Sequence, residues 1–224
     1  MSSSGYNYVR ISTCRMALPE LPVLIPNCLA SLIVGGHESV PHSRPYQVAL
    51  MDEQKRQYCG GTLVNKWWVV TAAHCSRDSG PWVGLGYHAI DQYDGPNQQV
   101  VYGNWISHKD FDAGTMNNDI ALIQLHTPVS MNSDVQAISI SSNEPKKGLK
   151  LLVSGWGNLD LLGDSGGPIV SNCAADSHQA GVLLEGIMSW GRGCAEAAHP
   201  GVYTKISNYC DWMKHFSNDE IVCV

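Results

Sequence analysis

The sequence predicts an all-β protein that ends in a short helix. Short apolar runs at 47–51, 61–64 and 67–72 are separated by Gly, Pro, Asp and Asn, residues that end strands and form turns. Few long helical periodicities occur. The exception is the C-terminal end, where Tyr209, Trp212, Met213 and Phe216 recur at helical spacing as one apolar face, with Ser207 ahead of them as a cap.

The length of 224 residues is enough for one or two domains with sizeable cores. Hydrophobic content of 44% against 15% charged residues suits a globular protein and argues against disorder. The net charge is -6 and no basic stripe is visible, which excludes nucleic acid as an expected partner. The 8 cysteines show no C-x-x-C spacing and there is no H-E-x-x-H, so disulfides formed in an oxidising compartment are favoured over a metal site.

Residues 1–32 read as a pre- or pro-segment or a damaged secretory signal. The run 17–34 is apolar, Arg10 and Arg15 precede it, and Ala30-Ser31 supplies small residues. Pro19, Pro22, Pro26 and Glu20 argue against a membrane span. No internal repeat or low-complexity segment stands out.

Three stretches carry chemistry. Gly163-Asp164-Ser165-Gly166-Gly167-Pro168 sets a serine among glycines, which leave its hydroxyl and nearby backbone N–H groups uncovered. Acyl transfer needs that combination of nucleophile and oxyanion donors; a plain turn is the simpler reading of the stretch alone. Val69-Val70-Thr71-Ala72-Ala73-His74-Cys75 is a buried-looking strand ending in histidine. Asn118-Asp119-Ile120-Ala121-Leu122 is an acid leading into an apolar run, which alone reads as a cap or turn. Together they give the order His, Asp, Ser.

In these motifs the sequence closely resembles the trypsin/chymotrypsin family of serine proteases, over 33–156 and 163–216. Ile33-Val34-Gly35-Gly36, Gly155-Trp156-Gly157 and Ser189-Trp190-Gly191 add to the resemblance. It implies two six-stranded antiparallel barrels, about 33–135 and 136–224, and hydrolysis of peptide bonds through an acyl-enzyme. Ser165 would attack, His74 act as base and then acid, Asp119 orient His74, and the N–H groups of Gly163 and Ser165 stabilise the oxyanion. Cleavage before Ile33 would free an amine to pair with Asp164, although Leu32 stands where zymogens activated by trypsin-like enzymes carry Lys or Arg. Cys59–Cys75 matches the family bridge beside the histidine, and the six other cysteines leave 15 pairings open. Ser189, Trp190 and Gly191 resemble the edge that pairs with substrate, and Gly191 and Gly201 the pocket walls. The implied partners are protein or peptide substrates and protein protease inhibitors. A secreted monomer is expected, with no nucleic acid, membrane or cofactor. In the loop 87–98, Tyr87 and Asn97 replace calcium-ligating carboxylates and leave Asp91 and Asp94, too few for a hard cation, so no metal is expected.

The match breaks after Trp156-Gly157, where only Asn158 to Leu162 precede the serine turn. The family carries there several strands, two disulfide half-partners and the base of the specificity pocket. Leu161 and Leu151 stand where Cys194 and Cys173 would find mates, and Cys210 and Cys223 match none. Counting back without gaps puts Leu159 at the pocket base, beside Asp160. The second barrel is therefore expected to be incomplete, and weak or absent activity follows, with a protein-binding module as the alternative. Gly163-x-Ser165-x-Gly167 also fits a hydrolase nucleophile elbow, with Asp176, Asp211, His178, His199 and His215 downstream. That elbow needs a helix after the serine, and Pro168-Ile169-Val170 reads as strand.

Overall fold

The computed structural model describes residues 10–15 (backbone only), 37–156, 165–171, 181–190 and 201–224. In chain order the strands are β1 (Arg10–Arg15), β2 (His37–Glu38), β3 (Gln47–Met51), β4 (Gln57–Asn65), β5 (Trp68–Thr71), β6 (Trp82–Leu85), β7 (Gln99–Ser107) and β8 (Ala121–Leu125). They continue as β9 (Ser139–Ile140), β10 (Lys150–Gly155), β11 (Pro168–Ser171), β12 (Leu183–Trp190) and β13 (Val202–Lys205). One α-helix, α1 (Cys210–Phe216), follows a 3-10 turn at Ile206–Tyr209.

Strands β3-β4-β5-β8-β7-β6 close into an antiparallel barrel. Closure removes sheet edges, so each strand finds a partner on both sides. The interior is filled by side chains such as Val48, Leu50, Leu63, Val83, Leu85 and Leu122, all fully buried. Each such side chain contributes about 1.5–3 kcal/mol relative to exposure.

The second half is an open sheet of order β13-β12-β11-β10-β1-β2, with β9 added in parallel to β12. The expectation of an incomplete second barrel matches this unclosed sheet. An addition to the expected architecture is β1, from the segment upstream of Ile33. It runs antiparallel to β10 from Arg10↔Gly155 to Arg15↔Lys150. The halves are joined by polar contacts, among them Ser154 Oγ donating to Gln47 Oε1 at 2.6 Å.

The helix lies where periodicity puts it, but the cap differs. Ser207 sits inside the 3-10 turn, Tyr209 is the N-cap residue, and no side chain caps the helix. The tight turn feeds directly into α1, so its first N–H groups need a different solution from a Ser207 cap. Met213 faces the core, whereas Phe216 is 40% exposed and packs on Trp212 at 5.4 Å. Cys210 and Cys223 pair with each other, as do Cys59 and Cys75. Among the described residues no helix is long and apolar enough to cross a membrane.

Candidate active site

Strand pairing brings His74 and Asp119 together. β5 and β8 are antiparallel with Thr71 opposite Ala121. The chain just after β5 therefore lies beside the chain just before β8. His74 leaves β5 in a 3-10 turn (Ala73–Cys75). Asp119 follows Asn118, which adopts a φ of 55°, a left-handed conformation that asparagine tolerates. The Asp119 side chain is fully buried. Its Oδ2 lies 2.8 Å from His74 Nδ1, and its Oδ1 accepts the His74 backbone N–H at 2.9 Å. The Ser189 hydroxyl donates to Oδ2 as well. Burial pushes the Asp119 carboxyl up, but the hydrogen bonds from His74 and Ser189 and the attraction of the imidazole outweigh it and hold the group below its ordinary value of 3.8.

The serine turn is fixed from both halves of the molecule. Gly60 in β4 donates its N–H to the Ser165 carbonyl at 2.8 Å, and Gly166 donates to Met188 O of β12 at 2.8 Å. Met188 returns a bond to Gly167 O at 2.9 Å. Thr71 Oγ1, next to the histidine turn, donates to Gly60 O at 2.8 Å, so β4 links the serine turn to β5. Gly166 has a φ of +80°, and a Cβ there would run into Thr71 Oγ1 and the Gly60 carbonyl. Glycine is required by both conformation and space. The Cys75 sulfur, bridged to Cys59, lies 3.7 Å from Ser165 O and 3.8 Å from His74 Nε2, so both residues meet one atom.

Ser189, at the end of β12, is buried, and its side chain reaches Asp119. Trp190 closes β12 opposite Val202, 46% exposed. Gly201 is described, and a Cβ on it would meet the Tyr203 ring at 3.0 Å or more. Gly163, Asp164, Gly191 and Ile33, with Leu159 and Asp160, lie outside the described residues. Two further residues lie around Asp119: Thr204, which no motif marks, and Tyr209, which the sequence marks only as part of a helix face. Thr204 Oγ1 donates to Asp119 O at 2.8 Å, and Tyr209 OH donates to Asn118 Oδ1 at 3.1 Å. Neither lies in a motif of the site; only the fold brings them near. In the loop 87–98, Asp94 Oδ2 accepts the N–H groups of His88 and Ala89, the work of a turn residue. The grouping of Cys59, His74 and Cys75 has metal-ligand reach, but its two sulfurs are spent in the disulfide.

A closed antiparallel barrel against a second, open sheet, with a short C-terminal helix, is consistent with the trypsin fold. The family model described as Trypsin matches residues 33–163 and 160–213, two pieces that meet between Trp156 and Ser165. Relatives include cationic trypsin-3 of Rattus norvegicus, 39% identical over 220 residues, covering 81% of this chain and 88% of the relative. Trypsin of Sus scrofa is 35% identical over 220 residues, covering 81% and 94%. Anionic trypsin of Bos taurus is 34% identical over 246 residues, covering 89% and 95%. The chain belongs to the trypsin family of serine proteases.

Proposed function

We propose that this chain is a serine endopeptidase with Ser165 as nucleophile, His74 as general base and then acid, and Asp119 as the orienting carboxylate. The contact between Asp119 Oδ2 and His74 Nδ1 carries the reading. An N–H at Nδ1 donating to the carboxylate leaves the lone pair on Nε2, the atom that must accept the serine proton. Ser165 Oγ then attacks the scissile carbonyl, and the proton held on Nε2 passes to the leaving amine. The N–H groups of Gly163 and Ser165 take the oxyanion, each donor being worth about 2.7–4 kcal/mol of barrier. Water repeats the sequence to release the acid. The chemistry is supplied by protein groups alone.

Cleavage at Leu32–Ile33 would free the amine that pairs with Asp164 and sets the oxyanion turn. The activating protease would cut after an apolar residue. Trp190, Gly191 and Gly201 would line the substrate path, and Ser189 would serve it through its backbone. The expected setting is extracellular, with a monomer acting on proteins or peptides and checked by protein inhibitors.

One observation favours a second reading. The second sheet is open, and the stretch that would form the specificity pocket is missing after Trp156, so a weak or inactive protease-like binding module fits as well. Labelling the chain, processed to Ile33, with a fluorophosphonate separates the two. A single adduct at Ser165, absent in Ser165→Ala and His74→Ala, is the expected result. A folded chain that takes no adduct is the binding module.

A further inference from the structure

We propose that residues 10–15 are a working strand of the protease domain, and that they stay on the β10 edge when the Leu32–Ile33 bond is cut. The strand that needs covering is β10. Residues Leu151 to Gly155 of β10 are buried, and on the side away from β11 the edge N–H and C=O groups meet β1 rather than water. On one side β10 pairs with β11, among the described residues, at Leu152↔Val170 and Val153↔Ile169. On the other, β1 supplies six consecutive pairs, from Arg10↔Gly155 to Arg15↔Lys150. β1 also carries β2, through Arg10↔Glu38 and Ile11↔His37, so it stands in the sheet between β10 and β2.

The place of β1 answers to the break in the sequence. β10 is the strand immediately before Trp156, where the family's next strands are missing. The upstream segment lays a strand along that same strand. Once Leu32–Ile33 is cut, β1 belongs to a separate peptide, held as an added strand by main-chain hydrogen bonds. The segment then acts as a permanent second chain, and its removal opens the sheet beside the serine turn.

Two measurements on the full chain test this. The first is hydrogen exchange at Lys150–Gly155 in Ser12→Pro and Thr13→Pro. Adjacent amides of a strand point to opposite sides, so one of the two prolines removes a bond to β10. In that variant the β10 amides are expected to exchange at least about tenfold faster, while the closed barrel keeps its protection and shows that the chain is folded. Unchanged β10 exchange in both variants overturns the proposal. The second uses a chain with Cys14→Ser and Cys28→Ser, which removes any disulfide link, cut at Leu32–Ile33. Fragment 1–32 is expected to co-elute with the remainder in size exclusion and to leave only in denaturant. Its loss under native conditions, with β10 still protected, overturns the proposal. Neither readout uses Ser165 reactivity, so the inference stands or falls apart from the proteolytic reading.

Discussion

Asp119 sits where the two halves of the molecule meet, and its carboxylate accepts from His74 Nδ1, the His74 amide and the Ser189 hydroxyl. Those partners hold its pKa below the ordinary 3.8 despite burial. A folded-state pKa below the unfolded one adds stability that is present above the ordinary value and is lost as pH falls through the folded value. Acid should therefore loosen this junction only below about pH 4. Ser189→Ala removes one charge-assisted bond, costing about 1.5–3 kcal/mol at neutral pH. It should also raise the Asp119 pKa, so that acid unfolding, followed by circular dichroism, begins at higher pH. An unmoved acid transition would contradict the assigned role of the Ser189 hydroxyl. His74, Asp119 and Ser165 are legible in the sequence because each stands in a motif. The Ser189 side chain is not, since its motif points to backbone contacts and only the fold turns the hydroxyl inward.

At the scale of elements, the tail after α1 is a clamp on the first barrel. Glu220 Oε2 accepts from Trp68 Nε1 at 2.7 Å, and its carbonyl accepts from Asn65 Nδ2 at 2.9 Å. The Cys210–Cys223 bridge, at a sequence separation of 13, holds the tail against the start of the helix. A loop of that size gives about 3 kcal/mol in the chain-entropy picture. Cys223→Ser paired with Cys210→Ser should lower the thermal midpoint by roughly 6–12 °C, at about 2–4 °C per kcal/mol for a chain of this size. A midpoint unchanged within a degree would mean that Glu220 and the backbone bonds of Val224 to Ile140 and Ser142 secure the tail without the bridge. The pairing was not readable beforehand, because two cysteines without family counterparts say nothing of how the tail folds back. The helix was readable from Tyr209, Trp212, Met213 and Phe216; its missing cap was not, since the 3-10 turn ahead of it leaves no periodic trace.

For the molecule as a whole, the contrast is between a closed barrel and an open sheet. The barrel strands have neighbours on both sides, whereas the second sheet ends in β13 and in β2, only two residues long. Native-state hydrogen exchange in rising urea should show the amides of β3–β8 opening last and those of β12 and β13 opening earlier, as a separate unit. Merging of both sets into one transition at low urea would show a single cooperative block. The barrel was legible in the sequence because its strands lie between clear turn signals and inside a continuous family match. The second sheet was legible only as a defect. The break after Trp156 marks what is missing, but no local pattern in Arg10–Arg15 announces a strand whose partner lies so far along the chain.

That separation sets an order of events during synthesis. β1 leaves the ribosome well before β10, which follows about 135 residues later; at roughly 5–20 residues per second that is on the order of ten seconds. The whole first barrel can close in that interval. Meanwhile the edge of β1 that pairs with β10 waits without its partner, open to the same segment of a neighbouring nascent chain. Yield of folded protein should therefore fall with crowding of chains on one message more steeply than in relatives whose paired strands emerge together.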